Sequence, residues 1–250
     1  MATAAVQATP ISTLKRLPGR RFDNLFFSIS AVLMLLTVFI GFARTYFLAG
    51  VFRAHLPSPI IHVHGAAFSC WILLLVVQTS LVSAHRVDLH RKLGVAGFIL
   101  ACCMVVLGLA ASTNALVRNS APAGLDPRTF YMVPITDILM FATLVAFAFR
   151  ARRDSASHKR IILLATSGLT IAAFARWPVP ILEGKILAAT LATYIFLVAL
   201  VVYDLWSTHR IHRATLWAGG FLVIVQNIRI PIAMTHAWLA LAGWIQSAAK

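Results

Sequence analysis

Residues 60–83 read IIHVHGAAFSCWILLLVVQTSLVS, and this stretch contains no Asp, Glu, Lys or Arg. An apolar run of about 20 residues is long enough to cross the hydrocarbon core of a bilayer as a helix. The run is continuous, whereas a membrane β-strand shows only about ten residues of alternating character. The stretch therefore predicts a transmembrane α-helix.

One apolar segment precedes this run and five follow it. The seven predicted spans are residues 25–50, 60–83, 93–117, 129–149, 161–182, 186–206 and 215–245. The last segment is long for a single span and contains Pro231, so it is either one kinked helix or two helices. Because the connections are short, we expect an all-α, polytopic transmembrane bundle over residues 25–250, preceded by a basic tail, residues 1–24.

The composition agrees with a membrane protein. Of the 250 residues, 60% are hydrophobic and 12% are charged, whereas soluble domains have about 45–50% apolar and 25% charged residues. A water-soluble globule is therefore excluded. The formal net charge of +15 comes from 22 Lys+Arg against 7 Asp+Glu.

The basic residues are concentrated on one side of the predicted bundle. The tail contains four of them, and the second, fourth and sixth connections contain three, five and two, whereas the opposite side has five. The positive-inside rule therefore places the N-terminus in the cytoplasm and the C-terminus outside. We expect the basic face to contact anionic lipid, and no nucleic acid is needed to explain the charge.

Seven ionisable side chains fall in the middle or outward part of the predicted spans. An ionisable group at the centre of a membrane costs about 2.5–3.5 kcal/mol on insertion scales, so each is a candidate functional residue. They are Arg44, His62, His64, Asp137, Arg176, Arg229 and His236. All seven lie in the middle or outward part of the membrane, which predicts a polar, arginine-rich outward cavity. The alternative is a structural polar network that holds the helices together.

Helical spacing predicts which side chains line this cavity, because residues seven apart share a helix face. One such stripe comprises His64, Trp71 and Gln78 on the second span. A similar stripe on the seventh span comprises Gln226, Arg229, Ala233 and His236, provided that Pro231 does not rotate the helix too far.

Asp137 is, by position, the only acid well inside a predicted span, so we expect it to pair with Arg176 or Arg229. The remaining arginine charge favours an anionic or oxygen-bearing group, such as a carboxylate, a phosphate, a haem propionate or a quinone oxygen.

Histidines flanked by basic residues open two spans at the predicted cytoplasmic face. His90 and His158 begin the third and fifth spans on the same side, so they could converge. They either bind phospholipid headgroups together with their basic neighbours or supply neutral imidazoles to a haem iron or another metal. Two histidines from different helices are a common way to hold haem b in a bundle.

These motifs resemble a broad family of uncharacterised bacterial multi-pass membrane proteins. In that family a span ending in Gln leads into a Leu-His-Arg-x-Leu-Gly turn, and a later His-Arg/Lys-Arg opens another span. The matching residues here are Gln78, residues 89–94 (LHRKLG) and residues 158–160 (HKR). The resemblance implies a bacterial inner-membrane protein with no settled activity. More loosely, the arrangement is similar to the four-helix haem cores of transmembrane b-type cytochromes, although the closely spaced mid-span histidine pair of di-haem helices is missing.

Three functions remain open from the sequence. The first is electron transfer through haem b or a transition metal, with a quinone as partner; its candidate ligands are His64 and His236 outward, which could also hold a metal ion, and His90 and His158 inward. The second is a transporter or receptor for a small anionic or lipidic ligand, whose candidate contacts are Arg44, Arg176, Arg229, Asp137, Gln78 and Gln226. The third is a non-catalytic subunit of a larger membrane complex.

Familiar enzyme motifs are absent from the sequence. It contains no phosphate-binding loop, dinucleotide fingerprint, zinc-protease motif or serine-hydrolase elbow. No lysine lies in the middle of a predicted span, which excludes a retinal attachment point. Whether the chain catalyses a reaction stays open at this point.

Overall fold

The computed structural model describes residues 20–53 and 58–249, and within these ranges the chain forms ten α-helices and no β-strand. The helices are α1 (Arg20–Phe42), α2 (Ala49–Phe52), α3 (Pro59–Ser83), α4 (Val87–Val117), α5 (Pro127–Arg150), α6 (Ser155–Leu169), α7 (Ile171–Phe174), α8 (Ile186–Thr208), α9 (Arg213–Ala233) and α10 (His236–Ala248). One turn of π-helix, Ala43–Phe47, continues α1. The all-helical prediction is confirmed; the predicted basic tail lies outside the described residues as far as residue 19.

Six helical segments are long and apolar enough to cross a membrane. They are Phe22–Phe47, Pro59–Ser83, Val87–Val117, Pro127–Arg150, Ile186–Thr208 and Arg213–Ala233. Their hydrophobic side chains face outward as well as inward, as expected of helices that contact lipid on one side and one another on the other. A multi-pass membrane protein is therefore supported.

The fifth predicted span, residues 161–182, differs most from the prediction. The helix begins earlier, at Ser155, and is divided into α6 and α7 around Thr170. It ends at Phe174, shortly before Pro178 and Pro180, because proline cannot donate the hydrogen bond that continues a helix. Nearly every residue of α6 from position 160 onward is buried, since α6 packs against α1, α5, α8 and α9.

Together α6 and α7 follow α1 along most of its length. Near the start of α6, Lys159 forms an ion pair with Asp23 in the first turn of α1. Just beyond α7, the indole Nε1 of Trp177 donates to the carbonyl oxygen of Thr37 at 3.1 Å. These two contacts lie about 20 Å apart along α1, since a helix rises about 1.5 Å per residue. The buried pair α6–α7 therefore extends through much of the depth of the bundle.

Helix α1 approaches α7 closely at Gly41, where a Cβ atom would clash with the backbone carbonyl of Ala173. A backbone atom cannot rotate away, so we expect Gly41→Ala to lower the thermal unfolding temperature in detergent, at a cost of about 1–3 kcal/mol. The matched control is Gly220→Ala on α9, where a Cβ meets nothing within 4 Å. This control should be neutral or slightly stabilising, because alanine favours a helix over glycine. Equal destabilisation by both substitutions would contradict the close approach.

The seventh predicted segment, residues 215–245, consists of two helices, which decides between the two alternatives that the sequence left open. Helix α9 ends at Ala233, with Pro231 in its last turn, and α10 begins at His236. Thr235 caps α10, because its Oγ1 accepts a hydrogen bond from the backbone N–H of Trp238 at 3.3 Å.

Helix α10 packs against the end of α4 and the start of α5. Gln246 is the main anchor: its Nε2 donates to the carbonyl oxygen of Leu116 at 2.9 Å, and its Oε1 accepts from Arg128 Nε at 3.0 Å. The indole Nε1 of Trp238 donates to the Arg128 carbonyl oxygen at 2.9 Å. These contacts hold α10 beside the α4–α5 connection.

Candidate functional site

Among the cavities of the described part of the chain, two lie between the helices towards opposite ends of α3. The larger, which we call the basic-face cavity, has a volume of about 910 Å³ and adjoins the connections rich in Lys and Arg. The smaller, the far-face cavity, has a volume of about 340 Å³. Gln78 lines the former and His64 the latter, while Trp71 lines both. His64, Trp71 and Gln78, which are spaced seven residues apart on α3, thus face the interior. Trp71 forms a wall between the two cavities.

The wall is fixed on two sides. The Trp71 indole Nε1 donates to Thr166 Oγ1 of α6 at 3.2 Å. The indole also packs edge-on against Phe141 of α5, with 5.1 Å between ring centroids. Trp71 is only 6% exposed. Its ring is therefore held in one place by two neighbouring helices.

His90 and His158 meet in the basic-face cavity. Their ring centroids are 6.4 Å apart and the rings are nearly perpendicular, at 85°. His158 Nδ1 lies 2.8 Å from the carbonyl oxygen of Ala148. A carbonyl can only accept, so this bond places the proton on Nδ1 and leaves Nε2 as the nitrogen with a free lone pair. The Nδ1 atom of His90 is buried and has no partner in the described parts of the chain.

The first turn of α6 holds His158 in position. Asp154 caps this helix, since its Oδ1 accepts hydrogen bonds from the backbone N–H groups of Ala156 at 3.1 Å and Ser157 at 3.3 Å. The Ser157 hydroxyl donates to the other carboxylate oxygen. The hydrogen bond from the Ser157 hydroxyl, with those from the backbone, lowers the pKa of Asp154 because each favours the charged form. His158 follows directly, so the cap fixes the backbone from which its ring extends.

The rim of the basic-face cavity carries unbalanced positive charge. Lys159 is paired with Asp23, and both line the cavity. Arg91, Arg152 and Arg153 also line it, and they form no salt bridge with any acid in the described ranges. Such a rim favours an anionic group.

The inner walls of the same cavity are apolar and aromatic. The Phe98 and Phe149 rings stack with 4.1 Å between centroids, and both line the cavity together with Trp71. Gln78 adds one polar group, and its Oε1 is buried without a partner within residues 20–53 and 58–249. The cavity therefore combines two imidazoles, a flat apolar interior and a cationic rim.

The far-face cavity is lined by His64, Asp137 and Arg176 among a set of aromatic side chains. The His64 ring packs against Phe68 with 4.1 Å between centroids. His64 Nδ1 is buried and unpartnered in the part of the chain that the structure describes. Across the cavity, Tyr46 donates its hydroxyl proton to the His62 carbonyl oxygen at 3.2 Å.

Asp137 pairs with Arg229, which decides between the two arginines that the sequence offered. Arg229 Nη1 donates to Asp137 Oδ1 at 2.6 Å, and Nη2 donates to Thr190 Oγ1 at 3.3 Å. Arg229 and the preceding Gln226 are each 1% exposed. Both amide atoms of Gln226, and Nε of Arg229, have no partner among the residues described.

Three other predicted residues are exposed. The guanidinium of Arg44 lies over the Phe52 ring at 5.8 Å and that of Arg176 over the Phe42 ring at 4.8 Å. Arg176 borders the far-face cavity, whereas Arg44 and His236 line neither cavity.

The structure does not bring His64 and His236 to one site. The break between α9 and α10 ends the polar stripe of α9 before position 236. Nor do the described ranges contain three or more His, Cys, Asp or Glu residues grouped so that they could hold a metal ion.

A second buried acid, Asp204, was not predicted from the sequence. The expectation that Asp137 is the only buried acid was therefore wrong. Asp204 in the last turns of α8 is completely buried. Its Oδ1 accepts from Arg160 Nη2 at 2.6 Å, and its Oδ2 accepts from Thr215 Oγ1 at 2.6 Å and from the His212 backbone N–H at 3.0 Å. Burial lowers the pKa of the nearby His212, as does the charge of Arg160. The signal was an acid inside the apolar run VVYDLW, close to a predicted span end.

No protein-family model matches the chain, and no curated protein or solved structure matches it either. A function is therefore derived from the chemistry of the two cavities.

Proposed function

We propose that this protein binds haem b in the basic-face cavity, where His90 and His158 would hold the iron, and that it transfers electrons within the membrane. The observation that carries the proposal is the pairing of these two imidazoles, from different helices, inside the larger cavity. When bound, a haem iron changes between its ferric and ferrous forms and so carries one electron.

The separation of the two rings suits a shared iron. If both imidazoles held one iron, their ring centroids would be about 6 Å apart, because each metal–nitrogen bond would be about 2 Å long; the observed separation is 6.4 Å. A metal-bound histidine usually donates its other ring N–H to a carbonyl or carboxylate. The bond from His158 Nδ1 to the Ala148 carbonyl is of this kind.

The rest of the cavity also fits a porphyrin. Its volume of about 910 Å³ lies near the upper end of the range for small-molecule sites, about 300–1,000 Å³. The stacked Phe98 and Phe149 rings offer an apolar surface to a flat macrocycle. Arg91, Arg152 and Arg153 are placed to balance two propionates. A free metal ion fits less well, since two histidines leave its coordination incomplete, whereas a porphyrin supplies four nitrogens of its own.

We also propose that the chain crosses the membrane seven times, with its N-terminus in the cytoplasm. Six crossings would leave the two ends of the chain on the same side of the membrane, whereas the proposed orientation places them on opposite sides. We propose that α6 and α7 together form the seventh crossing. In support, Asp23 at the start of α1 contacts both Lys159 near the start of α6 and Tyr203 near the end of α8. The basic connections adjoin this end of the bundle, as the positive-inside rule requires of a cytoplasmic face.

The two proposed ligands belong to the motifs at residues 89–94 and 158–160, which open α4 and α6. These are the motifs through which the chain resembles the uncharacterised bacterial family. We therefore propose the bacterial inner membrane as its location, with anionic lipid at the basic face.

The test is the visible absorption spectrum of the detergent-purified protein, oxidised and then reduced with dithionite. We expect a Soret band and reduced α and β bands, with one haem per chain by haem extraction. His90→Ala and His158→Ala should each lose most of the haem, because a single remaining axial ligand holds the iron weakly.

The matched controls are His64→Ala and His236→Ala, which remove the other candidate pair and should keep the wild-type haem content. Size-exclusion chromatography checks that each variant is folded. A featureless wild-type spectrum would overturn the proposal, as would loss of haem from His64→Ala but not from His90→Ala.

A further inference from the structure

We infer that the far-face cavity binds the ring of a membrane quinone, a neutral planar ligand with two oxygens. This inference goes beyond the proposed haem site and does not depend on it. It rests on the shape, the charge and the unpartnered polar groups of the cavity itself.

The walls of the cavity suit a flat ring. Phe68 and Trp71 of α3 and Phe42 at the end of α1 line it, and Tyr46 lines it from the π-helical turn. Aromatic side chains stack favourably on planar ligands. The volume of about 340 Å³ lies at the lower end of the range for small-molecule sites, which suits a single substituted ring rather than a macrocycle.

The charge of the cavity favours a neutral ligand. Asp137 is the acid that lines it, and the ion pair with Arg229 balances that carboxylate. Arg176 also lines the cavity, but its side chain is exposed, lies over the Phe42 ring and donates to the Ala172 carbonyl oxygen at 2.7 Å. Away from Arg176 the cavity therefore has no unbalanced charge, and the guanidinium of Arg176 lies at the edge, where it can donate to a ring oxygen.

The polar groups suit ring oxygens. His64 Nδ1 is buried and has no partner in the described ranges, so a neutral imidazole there can either donate to a quinone carbonyl or accept from a quinol hydroxyl. Arg176 is a second donor on the same cavity. A fatty acid would satisfy Arg176 but would leave the Nδ1 atom of His64 without a partner beside the hydrocarbon tail, which costs free energy.

The cavity is reachable from the membrane. Phe47 and Arg176 line it and are also exposed at the surface of the bundle. A quinone can therefore place its ring inside while its isoprenoid tail stays in lipid. Trp71 separates this site from the basic-face cavity.

The test is equilibrium dialysis of the purified full-length protein in detergent against decylubiquinone, with empty micelles as the blank. Bound quinone is extracted and quantified by its ultraviolet absorbance, so the measurement is independent of haem content. We expect saturation at one quinone per chain. His64→Ala should weaken binding about tenfold, the effect of losing one good hydrogen bond to a buried group, and His64→Gln should restore part of it.

His236→Ala is the matched control, because His236 is an exposed histidine that lines neither cavity; it should bind like the wild type. Non-saturable uptake equal to that of empty micelles would overturn the inference. So would equal weakening by His236→Ala and His64→Ala. A third result would also overturn the inference: laurate displaces the quinone from the wild type and from His64→Ala, but not from Arg176→Ala. That result would assign the cavity to an anionic lipid.

Discussion

Asp137→Leu is expected to destabilise the folded protein by about 3–5 kcal/mol, the cost of removing one partner from a buried ion pair. The substitution leaves Arg229 charged and only 1% exposed. The one other group that accepts from its guanidinium in the described chain is the Thr190 hydroxyl. Since arginine cannot lose its proton in a protein, the charge has no route to neutralisation. Denaturant titration in detergent, followed by tryptophan fluorescence, measures the loss.

The reverse substitution, Arg229→Leu, is expected to cost less. It leaves Asp137 without its partner, but a carboxylate can take up a proton and become neutral. Asp137 also borders the far-face cavity, from which water or a ligand can solvate it. The two single variants of one ion pair should therefore differ, with Asp137→Leu the less stable.

The double variant Asp137→Leu/Arg229→Leu is the control that isolates the unpaired charge. Replacing a whole buried pair with apolar groups is often neutral or stabilising, so the double variant should be more stable than Asp137→Leu alone. If the double variant instead loses the sum of the two single effects, the ion pair does not exist in the folded protein.

Hydropathy predicted the outer helices well because they contact lipid, and lipid contact requires long apolar runs. It misplaced the fifth segment for the opposite reason. Helix α6 is enclosed by other helices, so its surroundings are protein, and polar residues such as Thr166, Ser167 and Thr170 are buried there at 0% exposure. Each satisfies its hydroxyl on a carbonyl of the preceding turn. A central helix therefore shows weaker hydropathy than a peripheral one.

The site could be predicted in part. Heptad spacing placed His64, Trp71 and Gln78 on one interior face because α3 is an unbroken helix. His236 is not on the same helix as Gln226 and Arg229, because α9 ends at Ala233, two residues after Pro231; the condition that Pro231 should not disturb the stripe is therefore not met. The choice of partner for Asp137 depends on the rotation of α5 against α9, which no local pattern encodes.

Asp204→Ala is expected to have the other large effect, again about 3–5 kcal/mol of stability, because it leaves Arg160 buried without its carboxylate. Arg160 is 4% exposed and also donates to the Ala156 carbonyl, which does not neutralise its charge. The loss extends to Thr215 and the His212 backbone N–H, which both donate to Asp204 Oδ2. Thermal unfolding in detergent gives the measurement.

The matched control is Asp88→Ala. Asp88 forms an ion pair with Arg86 at 3.7 Å, but both side chains are more than 60% exposed, and exposed pairs contribute only about 0–1 kcal/mol. The contrast tests burial rather than charge. Because Arg160 lies two residues after His158 on α6, Asp204→Ala should also reduce the haem content, whereas Asp88→Ala, two residues before His90, should keep it. Equal stability of Asp204→Ala and Asp88→Ala would mean that the Arg160–Asp204 pair is solvated. The pair would then not fix the position of α6, and it would not hold His158 at a set distance from His90.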